Sequence, residues 1–160
     1  METLVPVGYA EHTPPPDLLS QVVCFWTSLT PDGVAESPAR RVLPDGCVDI
    51  VLAFGAVGDP ATTELREAFA VGAMTKPLVV EGPGPRLYIG VRFKPGFAFA
   101  AFGIPASELT DDRVSYELLV RDGGDQLARV VREETNEGRL LAMIALVRQR
   151  LFGAAAVPRS

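Results

Sequence analysis

The sequence predicts an α+β fold, a β-barrel or sandwich followed by two or three helices. Three observations lead there. Turn formers punctuate residues 1–95: Pro14-Pro15-Pro16, Pro31-Asp32-Gly33, Pro44-Asp45-Gly46, Gly55 to Pro60 and Gly82-Pro83-Gly84-Pro85. The runs between them are short and rich in β-branched and aromatic residues, as strands are. Beyond Pro95-Gly96 the apolar spacing changes from two to three and four, the helical period.

Each element follows from its local pattern. Strands are expected near 3–9, 23–30, 39–43, 47–54, 69–74, 77–81 and 86–94. Asp45-Gly46 supplies the positive φ of a hairpin turn between the third and fourth of these, and Glu81 to Arg86 is a longer hairpin connection. A short helix is expected after Pro16, with Leu18, Leu19 and Val22 at helical spacing. Phe97-Ala98-Phe99-Ala100-Ala101-Phe102 reads as a short buried helix closed by Gly103, its phenylalanines in the core or walling an apolar pocket. Pro105 to Leu109 adds a further turn. Asp125 to Thr135 carries Leu127, Val130 and Val131 on one face. Arg139 to Phe152 is the clearest helix: Leu140, Ile144, Val147 and Leu151 form a stripe that Leu141 widens, and Gly153 ends it. The chain therefore divides into a β-rich part (1–95) and a helical part (96–153) of one domain, with 154–160 a linker or tail.

Composition narrows the function. The 160 residues are 48% hydrophobic and 22% charged, which suits one globular core and excludes general disorder. The formal net charge of −5 argues against nucleic-acid binding by this chain alone, since phosphate contacts need a basic surface. No apolar run is long enough to span a membrane and the N-terminus lacks a signal-peptide pattern, so the expected location is cytoplasmic. Cys24 and Cys47 each lie in an apolar run and read as buried free thiols. The one histidine, His12, stands beside the Pro-rich turn, and a single loop-borne His serves neither a zinc site nor a catalytic triad. No Gly-x-Gly-x-x-Gly or P-loop pattern occurs; Gly46, Gly72, Gly90 and Gly96 read as backbone devices. No cofactor, metal site or catalytic residue is expected.

Alternation nominates a site. Leu87, Ile89, Val91 and Phe93 share one face of their strand, and Tyr88, Gly90 and Arg92 the other. Likewise Val48, Ile50, Leu52 and Phe54 oppose Cys47, Asp49, Val51 and Ala53. If the mixed faces line a cavity, Asp49, Tyr88 and Arg92 are its placed polar groups and Trp26 its flat wall. Arg92 would grip an anionic ligand in bidentate fashion. The alternative is that Asp49 and Arg92 form a structural ion pair or lie in solvent, and that Trp26 is core. The stripe of Leu140, Ile144, Val147 and Leu151 either packs on its own barrel or meets its copy in a two-fold dimer.

Three stretches taken in order resemble a known family: Arg41-Val42-Leu43-Pro44-Asp45-Gly46-Cys47-Val48-Asp49-Ile50-Val51, then Val71-Gly72-Ala73-Met74-Thr75-Lys76-Pro77, then Gly90-Val91-Arg92-Phe93-Lys94-Pro95-Gly96 followed by Phe102-Gly103-Ile104-Pro105-Ala106-Ser107-Glu108-Leu109. Together with Cys24-Phe25-Trp26-Thr27 they resemble the N-terminal regulatory domain of a bacterial branch of the AraC-type transcriptional regulators, over roughly residues 6–152. The resemblance implies a cupin-like barrel with helices that dimerise or relay a signal, a possible small-molecule effector, and transcription control through an attached double helix-turn-helix. Residues 154–160 leave no room for that DNA-binding half, so the chain is expected to be an excised sensor domain or a stand-alone relative, reaching DNA only through a C-terminal domain missing here. Two other functions remain open: a stand-alone cupin-like binding protein for a small organic molecule, and a small cupin-type enzyme, which the single His disfavours.

Overall fold

The computed structural model describes residues 5–29, 47–57, 59–72, 87–103, 113–115 and 129–153. These form an α+β arrangement: an antiparallel six-stranded sheet with helices against one face. In chain order the strands are β1 (Gly8–His12), β2 (Val22–Leu29), β3 (Val48–Val57), β4 (Asp59–Val71), β5 (Leu87–Phe93) and β6 (Arg113–Ser115). The helices are α1 (Phe97–Phe102) and α2 (Asn136–Phe152), with a single 3-10 turn at Pro16–Leu18 and a further helical stretch at 129–132. Spatial order is β1-β2-β5-β3-β4-β6, so β5 is inserted between β2 and β3 and is hydrogen-bonded on both sides.

The alternation read from β3 and β5 sorts the sheet into two chemically different faces. On one lie Phe25, Val48, Ile50, Leu52, Phe54, Leu87, Ile89, Val91 and Phe93, all buried in one cluster with Ala68 and Ala70 of β4. Helix α2 closes this apolar face with Leu140, Met143, Leu146 and Val147, and α1 adds Ala98 and Ala101. Fully burying each such large apolar side chain contributes about 1.5–3 kcal/mol, which makes this layer the main source of stability. The other face carries Cys24, Trp26, Val51, Ala53, Phe69, Val71 and Tyr88 in a second buried cluster. A bulge between Val22 and Cys24 lets β2 serve both: it leaves Val23 exposed, sends Val22 to the helical side and Cys24 to the mixed one.

Helix α2 is well terminated. Thr135 adopts extended backbone and its hydroxyl accepts from the Gly138 N–H, while Gly153, at φ 76°, ends the helix. It is tied to the rest of the chain by polar contacts: Arg148 pairs in bidentate fashion with Asp17 of the 3-10 turn, and the Arg150 Nε–H donates to the Ala101 carbonyl at 3.0 Å.

Several expectations are corrected. The first strand lies at Gly8–His12 rather than 3–9, and His12 is thereby a strand residue, its Nε2 3.0 Å from Thr27 Oγ1, rather than a loop residue. No helix follows Pro16 beyond one 3-10 turn; Leu19 is exposed and Val22 already belongs to β2. Strand β4 begins at Asp59, well before 69, because Val57 pairs with Asp59 and the ladder to β3 runs on from that turn. Among the described side chains of α1, Ala98 and Ala101 are buried, Phe97 packs partly against the core and Phe99 is exposed; the Phe102 side chain lies outside the described residues. Leu141 is 55% exposed, because the buried face of α2 centres on Met143 and Leu146. Val130 is buried but Val131 is exposed. Strand β6 has no counterpart in the sequence reading. The expected strands 39–43 and 77–81, the turn at 105–109, residues 125–128 and the tail 154–160 lie outside the described residues.

Candidate functional site

Register builds the site. Across β2, β5 and β3, Cys24 stands opposite Arg92 and Arg92 opposite Asp49; one step along, Trp26 stands opposite Gly90 and Gly90 opposite Val51. The next step brings Ser28, Tyr88 and Ala53 into line. Because side chains alternate, these three rows project from the mixed face together. Trp26, Asp49, Tyr88 and Arg92, nominated on three separate strands, are thus brought onto one patch.

Glycine makes the patch possible. A Cβ on Gly90 would lie 2.1 Å from the Trp26 ring, so only a bare backbone lets the indole lie across β5. Lying there, the indole crosses from β2 to β3 and its Nε1–H donates to Asp49 Oδ2 at 3.0 Å. Arg92 meets the same carboxylate in a fork: Nε–H donates to Oδ1 at 3.1 Å and Nη2–H to Oδ2 at 3.2 Å. Asp49 is 1% and Arg92 4% exposed. Taking two charges out of water is tolerable only with such bidentate geometry and an added donor. One buried carboxylate therefore pins three strands.

The neighbouring thiols are not activated. Burial pushes the Cys24 thiol up to about 11, outweighing the opposing pull of the Arg92 charge. Burial also raises Cys47. Both are free and protonated at neutral pH, and a protonated thiol is a poor nucleophile and a poor metal ligand. Among the described residues no group of three or more His, Cys, Asp or Glu side chains is placed to hold a metal ion. His12 stands opposite Phe25 and contacts Thr27, on the helical side of the sheet, away from the mixed patch. Burial holds its imidazole below the ordinary range. The patch offers shape, aromatic surface and a neutralised ion pair rather than a reactive group.

At the rim, the edge strand β1 adds residues that the sequence reading did not single out. Tyr9 is 48% exposed and its ring lies 6.0 Å from that of Trp26, tilted by 35°. Its hydroxyl donates to Glu11 Oε2 at 2.7 Å. On the opposite face, Arg139 of α2 lies buried with its guanidinium 4.2 Å above the Phe54 ring and bonded to Asn136 Oδ1. Burial lowers its pKa from the ordinary arginine value. Tyr9 lies in no motif, whereas Gly90, read as a backbone device, acts through a close approach by the Trp26 ring of the neighbouring strand.

The nominated dimer stripe lies elsewhere. Leu140 and Val147 are buried against the chain's own sheet, and Ile144 and Leu151 are partly buried against the same core. No helix among the described residues is long and apolar enough to cross a membrane.

A family model described as "Domain of unknown function (DUF6597)" matches residues 10–115, the span that runs from the edge strand β1 through β6. No curated protein and no solved structure matches the chain.

Proposed function

The chain belongs to the DUF6597 family of domains, and from that premise we propose that it is the regulatory domain of an AraC-type transcription factor, sensing a small molecule on the mixed face of its sheet and acting through a DNA-binding domain joined beyond its C-terminus. The observation that carries this reading is the buried constellation of Trp26, Asp49 and Arg92 over Gly90. Each stretch that contributes to it is one that resembles the AraC-type domains: Cys24-Phe25-Trp26-Thr27 supplies the indole, the Arg41 to Val51 stretch the carboxylate, and Gly90 to Gly96 both the platform and the guanidinium. The sheet in turn supports a cupin-like barrel in this proposal, since β2, β3 and β5 are buried on both faces and only one of those faces is taken up by α1 and α2.

The reading is non-catalytic. A cupin enzyme gathers its metal on several His, and the one His of this chain faces the helical layer. A second subunit belongs to the proposal because paired DNA readers need paired sensors. With Leu140 and Val147 buried in the chain's own core, the pairing would draw on the partly buried Ile144 and Leu151 of the same stripe. The second reading, a stand-alone small-molecule binding protein, uses the same patch and differs only in what the gene encodes past residue 160.

Native mass spectrometry of the purified chain tests the proposal. A dimer, or a subunit carrying a retained small organic mass, supports a sensor; a bare monomer that takes up no small molecule counts against it. A reading frame that continues past codon 160 into helix-turn-helix sequence separates the regulator from the stand-alone binder.

A further inference from the structure

We infer that the contact between His12 and Thr27 is an acid-sensitive latch on the edge strand β1: protonating the imidazole releases Gly8–His12 from β2 and lifts Tyr9 off the Trp26 ring. The device does not depend on the mixed face binding an effector. Its first support is composition. His12 is the only histidine in the chain, and no other side chain has an ordinary pKa between about pH 5 and 8. Burial moves the thiols of Cys24 and Cys47 away from that window rather than into it. A reversible change over that range therefore points to one side chain.

The second support is geometric. His12 stands opposite Phe25, and its Nε2 lies 3.0 Å from the Thr27 hydroxyl on the diagonal. Thr27 is fully buried, and among the described residues His12 is the only side chain that its hydroxyl meets. The neutral ring accepts the hydroxyl proton at Nε2; once Nε2 carries its own proton, a buried O–H loses its acceptor. Among the described residues, nothing facing the ring compensates the new charge. Strand β2 offers Phe25 and Thr27, neither of them titratable. Tyr9 and Glu11 alternate onto the other face, where Cys24 and Asp49 also lie. On the helical side Arg139 and Arg148 are themselves cations, and Asp17 is already paired with Arg148. Burial, with no charge opposing it, lowers the imidazole pKa. The folded state thus prefers the neutral ring, and the latch holds fully above the ordinary value of 6.5 and weakens as pH falls below it. Strand β1 is suited to release: it is five residues long and, among the described residues, pairs on one side only. Val5 before it and Pro14 after it are buried, which confines the release to the strand itself.

Amide exchange of the full chain at about pH 7.5 and about pH 5, corrected for the intrinsic pH dependence of exchange, tests the latch. Exchange at residues 8–12 is expected to rise roughly twofold or more at the lower pH, and by at most about tenfold per pH unit, the limit for one proton. Amides of β5 should stay protected. Trp26 is the only tryptophan, and its emission should shift as Tyr9 leaves it, with the midpoint of the His12 imidazole proton resonance. His12→Gln keeps a polar side chain that never charges in this range, so its β1 exchange is expected to be flat with pH. Thr27→Val removes the orphaned hydroxyl and is expected to reduce the response. Parent β1 exchange that is equal at the two pH values overturns the latch, as does a response that survives His12→Gln. A midpoint that departs from that of the imidazole does the same without any variant. A response shared in full by β5 overturns release of the edge alone, and one undiminished in Thr27→Val overturns the role of the Thr27 contact.

Discussion

Removing either half of the Asp49–Arg92 pair tests whether the network is a keystone of the sheet. Asp49→Leu leaves the Arg92 guanidinium in a position only 4% exposed, stripped of both hydrogen bonds to its carboxylate, and takes away the acceptor of the Trp26 N–H. Arg92→Met leaves a carboxylate that is 1% exposed without its two guanidinium donors. Breaking a buried pair by losing one partner costs about 3–5 kcal/mol, whereas replacing both partners by apolar groups of similar volume is near neutral or stabilising. Each single variant is therefore expected to lose about 3–5 kcal/mol. For a chain of this length that lowers Tm by roughly 6–20 °C. The double variant is expected to be more stable than either single one. Urea unfolding followed by Trp26 emission measures all four proteins and closes the double-mutant cycle. Two single variants within about 1 kcal/mol of the parent, or a double variant whose loss is the sum of the two, would refute the reasoning.

Further expectations concern other links of the structure. Gly90→Ala drives a methyl into the indole and should cost about 1–3 kcal/mol while shifting Trp26 emission; an unchanged spectrum would show that the ring does not lie on β5. Met143→Ala empties a fully buried position under α2 and should cost about 2–5 kcal/mol, whereas Leu141→Ala, largely in solvent, should change stability by less than about 0.5 kcal/mol. Equal losses in urea titrations would mean that α2 is rotated from the orientation described. Because burial raises the Cys24 thiol from its ordinary value near 9 to about 11, the folded state prefers the neutral thiol. Its contribution to stability is complete below pH 9 and declines as pH rises from 9 towards 11, and alkylation by iodoacetamide at pH 8 should require unfolding. Rapid labelling of Cys24 in the native protein would contradict this.

The central strands were legible because alternation is a strict geometric period. In β3 and β5 every other residue was assigned to the correct face, and with them the company of Asp49, Tyr88 and Arg92. The pairing of β5 between β2 and β3 was not legible, since register is a tertiary property; Gly90 reads as a backbone device in the sequence, but that an indole from β2, three strands earlier in the chain, lies over it does not follow from the sequence. The early part of β4 was missed because Thr62-Thr63-Glu64-Leu65-Arg66-Glu67 has no strong strand preference; the ladder to β3 holds it extended, as context overrides propensity. Strand β1 lies at Gly8–His12, where Tyr9, Glu11 and His12 show the polar pattern of an edge rather than the apolar alternation of a core strand. On α2 the period was right but the phase was off by part of a turn, because Met143 and Leu146 weigh no more by hydropathy than Ile144 and Leu151.

Strand β5 lies at the middle of everything described here: seven successive residues are buried, with a neighbour strand on either side. Leu87, Ile89, Val91 and Phe93 answer to the helical layer, and Tyr88, Gly90 and Arg92 to the mixed patch. A strand so placed has no position at which change is silent. In a saturation library of this protein, residues 87–93 should form an unbroken stretch of intolerance, matched within the described chain by the buried run 47–55 of the neighbouring β3. Single-nucleotide drift there is filtered twice, once for fit beneath a helix and once for fit beside an indole and an ion pair.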